Sequence, residues 1–206
     1  MFDLDGTLVD SYAAITDSLN HARSGFDLPA LPEEQVRRQV GRGLEALIAD
    51  LVGPDRVPDG VRLFRERYAE VYASMTHLLP GGASTLEGLA ARGYRMTVAS
   101  NKPARFGRAI VEALGLSAWL VSVHGPDTVG STKPDPAMLH RCLEDMHADA
   151  ASTAYVGDMV LDVETAARAA MPVILVDGGS SSPSDLRATG QRCVTSLPEL
   201  LELLLP

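Results

Sequence analysis

From about Arg95 onward, short β-branched or apolar runs alternate with helical patterns of roughly ten to fifteen residues, the signature of β-α-β units and a parallel sheet. The runs predict strands over Met96–Ser100, Trp119–His124, Thr153–Gly157, Val173–Val176 and, more weakly, Arg192–Thr195. Between them the pattern predicts helices over Pro103–Leu114, closed by Gly115, then Pro136–Met146, Met159–Ala170 and a terminal Pro198–Leu205,. Ala83–Arg92 reads as a helix feeding the first of these strands. This order defines an α/β layered fold with a parallel, Rossmann-like sheet.

The segment from Tyr12 to Leu79 follows another rule, because it offers no convincing strand. Val61, Phe64, Tyr68, Val71, Tyr72 and Met75 lie on one face at 3.6 residues per turn, and Leu44, Leu47, Ile48 and Leu51 do the same,. Earlier come a helix over Ser11–Ser24, ended near Gly25, and a short one begun by Pro32 with Glu33 and Glu34 in its first turn,. The breakers Pro80-Gly81-Gly82 close the segment,. The expected organisation is therefore an all-α four-helix unit, residues 12–79, inserted into an α/β core made of residues 1–11 and 80–206.

In open parallel sheets, ligands bind outside the carboxyl ends of the strands, so the residues just after each strand carry the functional question. The chain opens Met1-Phe2-Asp3-Leu4-Asp5-Gly6-Thr7-Leu8. Two carboxylates two residues apart on extended backbone point the same way, and Gly6 lets the chain turn sharply after them. Only Met1 and Phe2 precede Asp3, whereas a central strand usually runs about five or six residues. Ser100-Asn101-Lys102-Pro103 follows the second strand position, and Lys133-Pro134-Asp135-Pro136 follows the third. Gly157-Asp158 follows the next, with Asp162 one helical turn later,. Each piece alone reads equally well as a turn, a cap or a solvated position. Their convergence would put Asp3, Asp5, Asp158 and Asp162 in one pocket with a lysine, a hydroxyl and helix N-termini. Clustered carboxylates repel unless a cation sits among them, and an all-oxygen ligand set suits Mg²⁺. Carboxylates, Mg²⁺ and a cradle for a phosphoryl group together point to phosphoryl transfer with a carboxylate nucleophile.

Composition narrows the partners. Eighteen basic against twenty-seven acidic residues give a net charge of −9, and without a local basic stripe such a surface excludes nucleic acid as the expected partner. No stretch approaches a membrane span, and Met1-Phe2-Asp3 does not open like a secretory signal, so a cytoplasmic protein is expected,. Cys142 and Cys193 are too few for a disulfide scaffold and lack metal-ligand spacing,. The five histidines share no ligand spacing with one another or with a cysteine,. Sixteen of the eighteen basic residues are arginine, and the two lysines are Lys102 and Lys133. Both fall in the strand-end motifs. Lys102 is expected to point to solvent, beyond the phosphate contacts.

The ordered set Asp3-Leu4-Asp5-Gly6-Thr7, Ser100, Lys133-Pro134-Asp135-Pro136 and Gly157-Asp158 with Asp162 resembles the four motifs of the haloacid dehalogenase-like hydrolases. The insert resembles that superfamily's helical cap, and the best match is with its phosphoglycolate phosphatase-like members. The resemblance implies Asp3 as nucleophile, Asp5 as general acid and base, and Lys133 balancing charge on Asp3 and the phosphoryl group. It implies phosphoryl contacts from Ser100, Asn101, Gly6 and Thr7. Mg²⁺ would be held by Asp3, the backbone carbonyl of Asp5, Asp158 and Asp162, the last directly or through the others. The substrate would be a small phosphorylated metabolite. Arg42, between Gly41 and Gly43 in a cap loop, is a candidate for substrate selectivity, with a solvent-facing arginine as the plain alternative,.

Within the superfamily, a carboxylate at Asp5 argues against dehalogenases, which have no leaving group to protonate. The absence of lysine from the insert argues against phosphonate hydrolases, which need a Schiff-base lysine there,. Sugar phosphomutases stay open, although their cap typically presents a histidine where Ile15 stands. A non-catalytic phosphate sensor also stays open.

Overall fold

The computed structural model describes residues 1–204. A two-residue strand β1 (Val9–Asp10) leads into four helices, α1 (Tyr12–Ser24), α2 (Glu33–Arg37), α3 (Leu44–Leu51) and α4 (Val57–Val71), and β2 (His77–Leu78) leads out. Then follow α5 (Gly82–Ala91), β3 (Met96–Ala99), α6 (Ala104–Ala113), β4 (Leu120–His124), α7 (Pro126–Val129) and α8 (Ala137–Met146). The chain ends with β5 (Tyr155–Gly157), α9 (Val160–Arg168), β6 (Val173–Val176), α10 (Pro183–Ala188), β7 (Arg192–Val194) and α11 (Glu199–Leu203). The strands and helices expected after Arg95 are all present, most of them shorter by one to three residues at an end. Leu205, expected to finish the last helix, lies outside the described residues.

All pairings among β3 to β7 are parallel: β3 with β4, β5 with β6, and β6 with β7. The opening residues join the two groups. Phe2 bridges Val98 on one side and Val156 on the other, both in parallel sense. Its N–H donates to the Thr97 carbonyl at 2.9 Å, and the Asp3 N–H donates to the Val156 carbonyl at 2.8 Å. Phe2 thus occupies the centre of the sheet, with neighbouring strands satisfying the backbone on both edges,. Helices cover both faces. Leu4, Leu86, Leu89, Ile110 and Val123 belong to one buried layer, and Met138, Leu139, Cys142, Tyr155 and Leu175 to the other. The result is the α/β architecture expected.

One expectation fails within the helical segment. His77 and Leu78 form a strand, paired antiparallel with Asp10 and Val9. A two-residue ribbon carries no alternation to detect, and its register is set by the two chain crossings lying side by side. Between those crossings α1 packs against α4. Ile15, Leu19, Leu47, Ile48, Phe64 and Tyr68 share a core separate from those of the sheet. Phe106 of α6 packs against this core, with its ring edge-on to Tyr68 at 5.0 Å between centroids.

Candidate active site

Asp3, Asp5, Ser100 and Asp158 stand just beyond strand ends, Lys133 follows β4 and α7, and Asp162 lies in the first turn of α9. Asp3 is held between the β3 and β5 groups, and one of its oxygens accepts from its neighbour's backbone, Leu4 N–H at 2.7 Å. The other accepts from Lys133 Nζ at 2.7 Å. The same ammonium donates to Asp162 Oδ1 at 2.7 Å and to the Tyr155 hydroxyl at 3.1 Å. Lys133 is 1% exposed and Asp162 0%. Burial works against the charge on Lys133, but Asp162 and Asp3 outweigh it and lift its pKa well above the usual lysine value,.

Asp158 completes the acidic group. Its Oδ1 accepts from Thr7 Oγ1 at 2.8 Å, and its Oδ2 from the Ser180 N–H at 2.7 Å. Asp162 Oδ2 accepts from the Met159 N–H at 2.9 Å. Asp3, Asp158 and Asp162 are buried and offer oxygens all within 4.8 Å of one another. Burial, and then the neighbouring carboxylates Asp162 and Asp3, raise the Asp158 pKa well above the usual carboxylate range. Asp162 is raised as well, chiefly by burial, with Lys133 pulling the other way. Three buried carboxylates stand against one ammonium, with Asp3 also at the wall of the cleft. A hard cation with oxygen ligands fits that donor set.

The close packing explains several glycines. Gly6 has φ +79°, and a Cβ there would meet Asp158 and the Tyr12 hydroxyl; a Cβ on Gly179 would also run into Asp158.

Asp5 faces a different neighbourhood. Ser11 Oγ donates to its Oδ1, and Lys102 Nζ stands 3.0 Å from its Oδ2. Lys102 corrects the solvent-facing expectation, since its side chain is 6% exposed. Its ammonium lies over the ring of Tyr68, 4.7 Å from the centroid. Burial opposes its charge, but Asp5 and Tyr68 more than offset that, so its pKa too is raised. The signal that pointed here was the scarcity of lysine. Tyr68 gave none, because it reads as one more apolar position of α4.

Three expected phosphoryl contacts have other partners. The Thr7 hydroxyl is taken by Asp158, and the Gly6 N–H donates to the Val9 carbonyl at 2.8 Å. The Asn101 side chain donates to the Gly41 carbonyl at 2.8 Å and accepts from the Lys133 N–H at 2.7 Å. It therefore ties the loop before α3 to the lysine loop. Ser100 Oγ accepts only a long bond from the Lys102 N–H, 3.4 Å, among the described residues. Arg42 does not enter the site: its guanidinium pairs with Asp50, and its side chain is 56% exposed. Gly41 and Gly43, with left-handed backbone at φ +125° and +95°, line the cleft on either side of it.

The cleft has a cavity volume of about 80 Å³ and opens to solvent. Asp3, Asp5, Ser100 and Lys102 line it on the sheet side; Ile15, Val40, Leu47 and Phe64 line it on the helical side, with Arg65 beside them. Catalytic-type groups thus sit at one end of an apolar chamber.

This is the architecture of the haloacid dehalogenase-like hydrolases, whose family model matches residues 1–176, and the chain belongs to that family. It is 39% identical to the phosphoglycolate phosphatase of Rhodospirillum rubrum, over 88% of this chain and 80% of that one. It is 33% identical to the plasmid phosphoglycolate phosphatase of Cupriavidus necator, over 100% of this chain and 92% of the relative. Among solved structures, a predicted phosphoglycolate phosphatase from Haemophilus somnus 129pt superposes with a TM-score of 0.92 at 25% identity, covering 99% of this chain and 96% of that one.

Proposed function

We propose that the protein is a Mg²⁺-dependent phosphatase acting on a small phosphate monoester of the phosphoglycolate type, through an aspartyl-phosphate formed on Asp3. The observation that carries this reading is the buried group of Asp3, Asp158 and Asp162 with Lys133 among them. The names of the curated relatives support the phosphatase assignment.

Asp3 is the nucleophile. Its carboxylate, paired with Lys133 at 2.7 Å, attacks phosphorus while the ester P–O bond breaks. Asp5 gives its proton to the leaving ester oxygen, which departs as an alcohol. Asp5 then takes a proton from water, and that water attacks the phosphorus of the acyl phosphate, releasing inorganic phosphate and restoring Asp3. Ser100 Oγ, uncommitted as a donor, holds a phosphoryl oxygen. Asp3, Asp158, Asp162 and the Asp5 carbonyl would hold Mg²⁺. When bound, the ion offsets the charge of the carboxylates and of the phosphoryl group. The helical segment, residues 12–79, acts as the cap that excludes water and macromolecules from the chamber. Ile15 in the chamber wall offers no proton-transferring group, which favours hydrolysis over mutase chemistry.

The test is phosphate release from 2-phosphoglycolate with Mg²⁺, repeated in EDTA and with Asp3→Asn. Release should depend on the metal and fall by about 10³ or more in the variant. Substantial turnover by Asp3→Asn would replace the covalent route with direct attack by water.

A further inference from the structure

We propose that Lys102 is the specificity residue of the cleft, reading a carboxylate that lies next to the scissile ester oxygen. The proposal rests on the phosphatase reading above and deepens it by naming the residue that recognises the acid group of a phosphoglycolate-type ester.

An ammonium has three N–H donors. The Lys102 ammonium stands 3.0 Å from Asp5 Oδ2 as an ion pair, and its charge lies over the Tyr68 ring at 4.7 Å. Among the described residues Lys102 Nζ has this ion pair and the Tyr68 ring as its partners, and its side chain lines the cleft. The remaining donor capacity therefore faces the chamber. Desolvating a lysine fully is expensive, and one carboxylate and one aromatic ring, Asp5 and Tyr68, compensate this one; an anion arriving from the cleft would add to its coordination.

Position decides which anion. Asp5 must reach the ester oxygen to protonate it, and Lys102 touches Asp5. In a 2-phosphooxy acid a single carbon separates that oxygen from the carboxyl group. The carboxylate then falls within a few ångströms of Asp5, on the Lys102 side of the chamber. The surrounding walls, Ile15, Val40, Leu47 and Phe64, are apolar and provide no competing donor. Arg65 is the other cation lining the cleft. It stands on α4, is bonded to Glu45 at 3.3 Å and is 42% exposed, so it belongs to the rim. It could meet only a longer substrate.

The experiment compares kcat/KM for 2-phosphoglycolate and for its carboxamide, phosphoglycolamide, in wild type, Lys102→Met and Arg65→Gln. The two esters share phosphate, carbon skeleton and leaving oxygen, and differ in the one charge. Wild type should prefer the carboxylate by roughly 10- to 100-fold, the worth of a hydrogen bond to a charged group. Lys102→Met should erase that preference, whatever it also costs on both esters through the loss of contact with Asp5. Arg65→Gln should keep the preference. A merely structural lysine would lower both rates together and leave the ratio unchanged, and that result overturns the proposal. So does loss of the ratio in Arg65→Gln instead, or a wild type without preference, which decides the matter even if Lys102→Met does not fold. No turnover of either ester by wild type would sink the phosphatase reading itself.

Discussion

Replacing Lys133 by methionine removes one charge from the middle of the buried acidic group while keeping most of the side chain's volume. In wild type without metal, the ammonium satisfies Asp3 and Asp162 at 2.7 Å each and sits at 1% exposure. The thioether satisfies neither, and three carboxylates remain with no cation among them. Breaking a buried ion pair by removing one partner costs about 3–5 kcal/mol. For a chain of this size each kcal/mol moves the unfolding midpoint by about 2–4 °C, so the variant should melt about 6–20 °C below wild type in EDTA. Scanning calorimetry or circular dichroism at pH 8 measures this directly. Saturating Mg²⁺ should close part of the gap, because an ion bound to the folded state alone compensates the same charge. A midpoint within about 2 °C of wild type in EDTA would show that Lys133 does not hold the acidic group together, and the charge argument for the metal would fall with it.

The metal-free protein should be more stable near pH 5 than near pH 8. Asp158 and Asp162 have folded pKa values raised above the ordinary 3.8, so the unfolded chain releases their protons first and stability falls as pH climbs from that value through the folded ones. Urea unfolding in EDTA at both pH values checks the sign, and Mg²⁺ should flatten the slope. Gly179→Ala should weaken Mg²⁺ binding by about 10- to 100-fold, as changes around metal ligands do. The new methyl displaces Asp158 from its bonds to Thr7 and Ser180, and isothermal titration calorimetry with MgCl₂ reads the loss. Arg42→Ala should leave kcat/KM for 2-phosphoglycolate within about twofold, since the exposed pair with Asp50 is worth at most about 1 kcal/mol,; a tenfold loss would return Arg42 to the substrate.

The α/β half was legible because parallel strands buried on both faces write nearly continuous apolar runs, as Val173–Val176 does, and because strand-end residues must converge. Asp3, Lys133, Asp158 and Asp162 followed from that rule. What the residues touch was harder to foresee. Thr7 and Asn101 carry the right groups for a phosphoryl contact, yet each is consumed in supporting a neighbour, a choice made by atoms more than thirty positions away. Arg42 failed for a local reason, since its guanidinium pairs with Asp50. Lys102 and Tyr68 become a pair only when α4 crosses the start of α6, and spacing along the chain contains no trace of that crossing.

The place of Asp3 in the sheet also dictates when the enzyme can first become competent during folding. Met1's amino group bonds the Ala154 carbonyl across 153 positions, and Asp3 meets Lys133 across 130. Closing loops of that length is entropically late compared with forming the local contacts of a helical segment. Activity should therefore be the last property to return on refolding, trailing helical circular dichroism. A chain still emerging from the ribosome, with β5 not yet made, would display the opening segment with one edge unpaired and nothing to hold Asp3 in position.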